Sequence, residues 1–209
     1  MQKPNTEPNA DSLIARALAG EREAFCELAR QHEARLYRQA FGLCRDEHLA
    51  EDLAQETLIE AWNGLARYNG ACRFSTWLYA ILLHRHQKSL RKNRSVLRLF
   101  LGMQRRRGSS REWELSAGAD GDPAETACRA EAAENLRAAV EALPAPARDV
   151  VRLRFFAGAS LSEISIALGI PLGTAKSRLH YALIRLREMC DPQLNPSALN
   201  GDLLSEGRT

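Results

Sequence analysis

The chain has 209 residues, 45% hydrophobic and 26% charged, with a formal net charge of +3. That is the make-up of one medium or two small soluble domains, and it excludes a wholly disordered chain, a collagen-like fibre and a membrane bundle. The longest apolar stretches, Trp77 to Leu83 and Val96 to Leu101, fall far short of the roughly 18 to 20 residues that cross a bilayer. The opening MQKPNTEPNADS has neither an apolar run nor a small-residue cleavage site, so the expected location is cytoplasmic. Five cysteines, at 26, 44, 72, 128 and 190, form no C-x-x-C pair. That argues against a disulfide framework or a zinc knuckle and predicts free, mostly buried thiols.

Residues 10–100 are rich in Ala, Leu, Glu and Arg and show no period-two alternation, which predicts helices. The first is capped by Asp11 and punctuated by Gly20. Others fit Glu23 to Leu43, His48 to Leu65 and Ser75 to Arg91, with a loop from Tyr68 to Arg73 between the last two. Within His48 to Leu65, Ala50, Leu53, Ala54, Leu58, Ala61 and Leu65 form a core stripe. Asp52, Glu56 and Glu60 fall on one outer line bordered by Gln55, Ile59 and Trp62. Carboxylates so aligned repel one another by a few tenths of a kcal/mol per pair. The line therefore fits a basic partner as well as a solubilising face, and exposure of Ile59 or Trp62 beside it would favour an interface.

The sign of the charge then reverses. His84 to Arg107 carries Arg85, Lys88, Arg91, Lys92, Arg94, Arg98 and Arg105 to Arg107 with no acid, and Phe74, Trp77 and Tyr79 stand at its head. Rings stack on unpaired bases while cations hold phosphates, so Trp77 is expected to be shared between core and nucleic acid. Residues 101–122 (RRRGSS, then SAGADGD) have little to bury and read as a linker.

Asp122-Pro123-Ala124-Glu125 is a helix start, with Asp122 as cap and Pro123 at the first helical position. That helix is expected to reach Glu141, and after Pro144 and Pro146 a compact helical unit follows from Ala147 to Met189. There, Ser160-Leu161-Ser162-Glu163 fits a capping box, Gly169 a left-handed stop, and Thr174 the cap of a last helix. Ala175, Leu179, Ala182, Leu183 and Leu186 make the last helix's inner stripe, opposite Lys176, Ser177, Arg178, His180, Tyr181, Arg185 and Arg187. Two packed helices with a solvated face satisfy this pattern. A helix-turn-helix satisfies it too, and it also accounts for Lys176, Ser177 and His180 lying in the first turns, where a groove-bound helix meets base edges.

These features, in this order, resemble the extracytoplasmic-function (ECF) group of bacterial sigma factors, the smallest members of the sigma-70 family. The resemblance is carried by Asp46 to Trp62 (DEHLAEDLAQETLIEAW), Phe74 to Arg91 (FSTWLYAILLHRHQKSLR) and Leu143 to Leu186, which includes LSEISIALGIPLGTAKSRLHYALIRL. It implies an all-α chain of two small helical domains: region 2, a helical bundle, at 10–100 and region 4, the helix-turn-helix, at 123–190. A flexible acidic linker would join them at 101–122, and 191–209 would be a disordered tail.

The function implied is that of an alternative sigma factor and not an enzyme. Such a factor binds the beta and beta-prime subunits of core RNA polymerase, directs promoter-specific initiation, and is held in check by an anti-sigma factor. The resemblance implies no small-molecule substrate, cofactor, metal or direct membrane insertion. Asp52, Gln55, Glu56, Ile59 and Glu60 would meet the polymerase clamp helices. Asn69, Gly70, Ala71, Cys72, Arg73, Trp77, Arg85, Lys88 and Arg91 would melt the minus-ten DNA and capture a flipped base, whose extrusion costs a few kcal/mol. Thr174, Lys176, Ser177, Arg178, His180, Tyr181 and Arg185 would read the minus-thirty-five duplex. The sequence departs from many relatives at Ala80, His84 and Lys88, where they carry a basic residue, an asparagine and an aspartate, and at Tyr181, where arginine is common.

Other readings use less of the chain. A repressor that never recruits polymerase leaves the Asp52, Glu56 and Glu60 line without a role. A metal-dependent hydrolase built on His32, Cys44, His48, His84 or His86 finds no H-E-x-x-H or paired-carboxylate arrangement. A thiol or metal sensor at Cys72, or at Cys44 with His48, would react with iodoacetamide and be protected by zinc.

Overall fold

A computed structural model of the chain describes residues 10–100 and 123–190, with helical backbone alone over 92–100 and 123–130. The expected linker at 101–122, the tail at 191–209 and the Asp122 cap lie outside the described residues. Among the described residues every regular element is helical. These are α1 (Ala10–Leu18), α2 (Arg22–Cys44), α3 (Glu47–Gly64), a 3₁₀ turn (Leu65–Arg67), α4 (Phe74–Phe100), α5 (Pro123–Ala142), α6 (Ala145–Phe155), α7 (Leu161–Leu168) and α8 (Leu172–Cys190).

One compact unit holds α1 to α4 together with α7 and the end of α6. Asp11 lies within the first turn of α1 and is not its cap, although a carboxylate there still suits the positive helix end. Arg45 closes α2 in the left-handed conformation, its N–H donating to the Phe41 carbonyl at 2.8 Å. The adjacent Asp46 is extended and its carboxylate accepts the Leu49 N–H at 2.9 Å, capping α3. Leu28, Leu36 and Ala40 of α2 are buried, as are Ala50 and Ala61 of α3 and Leu78, Tyr79, Leu82 and Leu83 of α4. Cutting one such leucine back to alanine costs about 2 to 5 kcal/mol. The Thr57 hydroxyl, fully buried in α3, donates to the Leu53 carbonyl at 2.7 Å, which satisfies a polar group inside this core.

The second unit holds α5, most of α6 and α8. Ala139 and Val140 of α5 are buried, as are Val150 and Val151 of α6 and Ala175, Leu179, Ala182 and Leu186 of α8. Arg152, also buried, is neutralised by Glu141, whose backbone carbonyl accepts from Arg148 at 2.7 Å. α8 starts at Leu172, directly after Pro171, and the Ala175 N–H donates to the Pro171 carbonyl at 3.0 Å. Thr174 is therefore inside the first turn and does not cap the helix, whose first hydrogen bond is already accepted by the Pro171 carbonyl.

The thiols also depart from expectation. Of the described cysteines Cys72 is buried, Cys44 is half-buried, and Cys26 and Cys190 are exposed. Cys26 follows the buried Phe25 on an amphipathic helix and so faces outward, while Cys190 ends α8.

Candidate protein and nucleic-acid interfaces

α3 buries Ala50, Leu53, Ala54, Thr57 and Ala61, and that inner stripe leaves Asp52, Gln55, Glu56 and Ile59 exposed and Glu60 half-exposed on the other face. Ile59 is 61% exposed and Trp62 36%, the latter resting its ring 5.0 Å from that of Phe25. Ile59 is thus an apolar side chain presented to solvent between carboxylates, with the partly exposed Trp62 beside it.

The acids have an internal partner as well. Arg85 of α4 reaches Glu56 at 2.8 Å and Glu60 at 3.2 Å, and His84 Nδ1 lies 4.0 Å from Glu60. Arg85 thus touches the acidic line from the neighbouring helix, while Lys88 and Arg91 beyond it are exposed. Ala80 is buried and offers nothing to a nucleic acid.

The loop between the 3₁₀ turn and α4 is ordered by its own side chains. Asn69 Oδ1 accepts the Ala71 N–H at 3.1 Å, and Gly70 takes the positive φ of 72° that this turn requires. The Tyr68 hydroxyl donates to the Cys72 carbonyl at 2.7 Å. Tyr68, Phe74 and Trp77 form a ring cluster with centroids 5.2 to 5.6 Å apart. Trp77 is half-buried. Asn69 and Gly70 are exposed, Ala71 and Arg73 half-buried, and Cys72 buried. Burial pushes the Cys72 thiol up to about 11, the Glu163 charge adds to that rise, and Arg73 opposes it. Cys72 therefore contributes backbone to this loop and not a reactive sulfur.

At Cys44 the thiol sulfur lies 3.2 and 3.3 Å from the Ala40 and Asp46 carbonyl oxygens, alternative acceptors for its one proton, and burial raises its pKa. Among the described residues no group of His, Cys, Asp and Glu is arranged to hold a metal ion.

The expected capping box of α7 is present. The Glu163 N–H donates to Ser160 Oγ at 3.2 Å and the Ser160 N–H to Glu163 Oε2 at 2.9 Å, and Gly169 ends the helix at φ 62°. On α8, Lys176, Ser177, His180, Tyr181 and Arg185 are exposed, while Thr174 and Arg178 are half-buried. The Ser177 hydroxyl donates to the Thr174 carbonyl at 3.1 Å, and Arg185 pairs with Glu188 at 2.8 Å. Sequence reasoning missed Arg35, whose guanidinium donates to the Ala157 carbonyl at 3.0 Å, and it missed the exposed Phe155 and Phe156. Two consecutive phenylalanines at a helix end were an available signal for the latter, since the helical period turns them in different directions.

A sigma-70 region 2 family model matches residues 28–96, and a sigma-70 region 4 model matches residues 139–188. The ECF RNA polymerase sigma factor SigE of Mycolicibacterium smegmatis is 32% identical over 193 residues, which cover 89% of this chain and 69% of that protein. SigW of Bacillus subtilis, also an ECF RNA polymerase sigma factor, is 28% identical over 176 residues, covering 84% of this chain and 93% of its own length. Among solved structures, the sigma factor RpoE from Bartonella quintana, in complex with the anti-sigma factor NepR, shares the fold with a TM-score of 0.60 at 22% identity. That match covers 81% of this chain and 98% of RpoE. With two sigma-70 region models in the expected order and nine-tenths of the chain aligned to one such factor, the chain belongs to the ECF RNA polymerase sigma factor family.

Proposed function

We propose that this chain binds core RNA polymerase through the outer face of α3 and directs it to a restricted set of promoters. The observation that carries the assignment of the surface is Ile59, 61% exposed among Asp52, Gln55, Glu56 and Glu60. An apolar centre with an acidic surround fits a basic helical partner such as the polymerase clamp, because the centre is desolvated while the charges steer and register the approach.

The ordered loop Asn69 to Arg73, with Trp77, Arg85, Lys88 and Arg91, is the proposed minus-ten element. Its backbone and half-buried ring offer a base-sized platform beside cations. Thr174, Lys176, Ser177, Arg178, His180, Tyr181 and Arg185 of α8 are the proposed minus-thirty-five readers, the long cations serving phosphates and the short polar groups base edges. The proposed chain organisation keeps region 2 at 10–100, an acidic linker at 101–122, region 4 at 123–190 and a tail at 191–209. RpoE of Bartonella quintana was solved with an anti-sigma factor, and a partner of that kind is proposed here too. No described helix is long and apolar enough to cross a membrane, and the proposed site of action is the cytoplasm, where core polymerase works. The factor supplies recognition, and the polymerase supplies the chemistry.

Run-off transcription with purified core polymerase on a genomic DNA library tests the reading. Wild-type chain should yield discrete transcripts that Asp52→Arg plus Glu56→Arg abolishes. Sequence-specific DNA binding without any transcript would point instead to a repressor.

A further inference from the structure

The 3₁₀ turn Leu65–Arg67 carries α3 into the loop before α4, and the Tyr68 N–H closes it by donating to the Leu65 carbonyl at 2.9 Å. Tyr68 is buried, its ring 5.2 Å from that of Trp77 and 5.5 Å from that of Phe74. Arg67, the residue before this anchor, is exposed. Its side chain folds back over Gly64, the last residue of α3. A Cβ at Gly64 would lie 3.5 Å from an Arg67 Nη, 3.9 Å from Arg67 Nε and 3.8 Å from Trp77 Cζ2. Guanidinium and indole therefore share the recess that the missing side chain leaves. Gly64 has φ −98°, which other residues also adopt, so what glycine supplies here is room. Among the described residues Arg85 is engaged by Glu56 and Glu60, and no carboxylate engages Arg67. Arg67 lies outside the basic block of α4 in sequence, and it is the fold that sets it beside Trp77.

We propose that Arg67 is a further nucleic-acid contact of this chain, holding a backbone phosphate of the single strand whose base stacks on Trp77. This rests on the reading of Trp77 and the Asn69-to-Arg73 loop as the minus-ten element. A base and its own phosphate are joined through one sugar, so a ring and a cation that serve the same stretch of strand have to stand side by side. Trp77 and Arg67 do so across Gly64. The planar guanidinium offers a phosphate two parallel N–H donors, and no internal ion pair has to be broken before it can do so. A phosphate carries no base identity, so Arg67 adds affinity at every sequence and leaves the choice of base to the loop. A cation near the C-terminal carbonyls of α3 would also suit the helix end, which is the structural role that the experiment has to separate from this one.

The test uses the full chain bound to core polymerase and a fork-junction DNA, made from a promoter recovered by run-off transcription and carrying its minus-ten segment as a single non-template strand. Fluorescence anisotropy across a salt series compares wild type with Arg67→Gln, Arg67→Lys and Arg38→Gln, the last removing an exposed α2 charge away from the recess. Arg67→Gln should bind the fork about tenfold more weakly and lower the slope of log affinity against log salt by about 0.7, the value for one phosphate on a single strand. Arg67→Lys, which keeps the charge and loses the fork of donors, should keep the slope and lose only part of the affinity. Arg38→Gln should leave both unchanged. The loss in Arg67→Gln should be the same when the bases of the single strand are changed. An unchanged affinity or slope in Arg67→Gln would overturn the contact, and a lower urea midpoint with an unchanged slope would make Arg67 a helix-end residue instead. A loss that Arg38→Gln reproduces would overturn it too, as an effect of net charge. Wild-type complex that transcribes but binds the fork no better than blunt duplex would instead defeat the minus-ten reading itself, so the two failures are told apart.

Discussion

Protonating Glu163 would cost this chain hydrogen bonds from the Arg73 guanidinium, the Arg73 N–H and the Ser160 N–H. Burial alone would raise the carboxyl's pKa, but those donors and the Arg73 charge outweigh it and hold the group at about 2, against an ordinary value of 4.5. A carboxyl whose folded pKa is depressed contributes stability that is full above its unfolded value and is lost as pH falls toward the folded one. Urea titrations should therefore show wild type losing its advantage over Glu163→Gln as pH drops from 4.5 toward 2, with a constant difference above that window. Parallel curves across the window would show that the carboxylate has no special partner. The cysteines give a second residue-scale prediction. Because burial lifts the Cys72 thiol to about 11 while Cys26 and Cys190 are exposed, iodoacetamide at neutral pH should label Cys26 and Cys190 and leave Cys72 unmodified in the native chain. Peptide mass spectrometry reads the order directly, and early labelling of Cys72 would mean that its loop opens freely.

At the scale of elements, α3 and α4 are each proposed to meet an outside partner, and they are partners of one another through Arg85, Glu56 and Glu60. The Glu56 side chain is 55% exposed and that of Arg85 23%, so water screens the pair and its coupling should be small. A double-mutant cycle with Glu56→Gln and Arg85→Gln, read by chemical unfolding, should return no more than about 1 kcal/mol. On the proposed reading, a pair this weak would be exchanged cheaply for contacts with polymerase on one side and DNA on the other. A coupling of several kcal/mol would make Arg85 a structural residue and remove it from the minus-ten set. The helix boundaries follow from the same local chemistry. Ser160, Asp46 and Gly169 each satisfy backbone groups that the helix ends leave open. Thr174 does not, because α8 begins two residues earlier, at Leu172, with the Pro171 carbonyl accepting its first hydrogen bond.

At the scale of the whole molecule, the proposed function divides promoter recognition between a loop that would take single-stranded DNA and a helix that would take duplex. The two modes should respond differently to salt. Phosphate contacts release counterions, so removing one, as in Lys176→Ala, should lower the slope of log affinity against log salt for a minus-thirty-five duplex by about 0.9. Fluorescence anisotropy across a salt series measures it, and an unchanged slope would move Lys176 from a phosphate to a base edge or off the DNA. Lys176, Ser177 and His180 are exposed, as the proposed groove-bound helix would require.

The helical class, the capping box at Ser160 and Glu163, the stop at Gly169 and the inner stripes of α3 and α8 were all legible in the sequence. Each arises from interactions within a few residues along the chain: a period of burial, a cap, a residue free to take positive φ. The acidic line and the basic helix were legible too, as charge. Whether those charges faced solvent, a partner or each other was decided only by tertiary structure. The pairing of Arg85 with Glu56 and Glu60, the burial of Cys72, the exposure of Ile59, and the meeting of Arg73 with Glu163 across 90 residues depend on which helix surfaces come together, and no local periodicity encodes that.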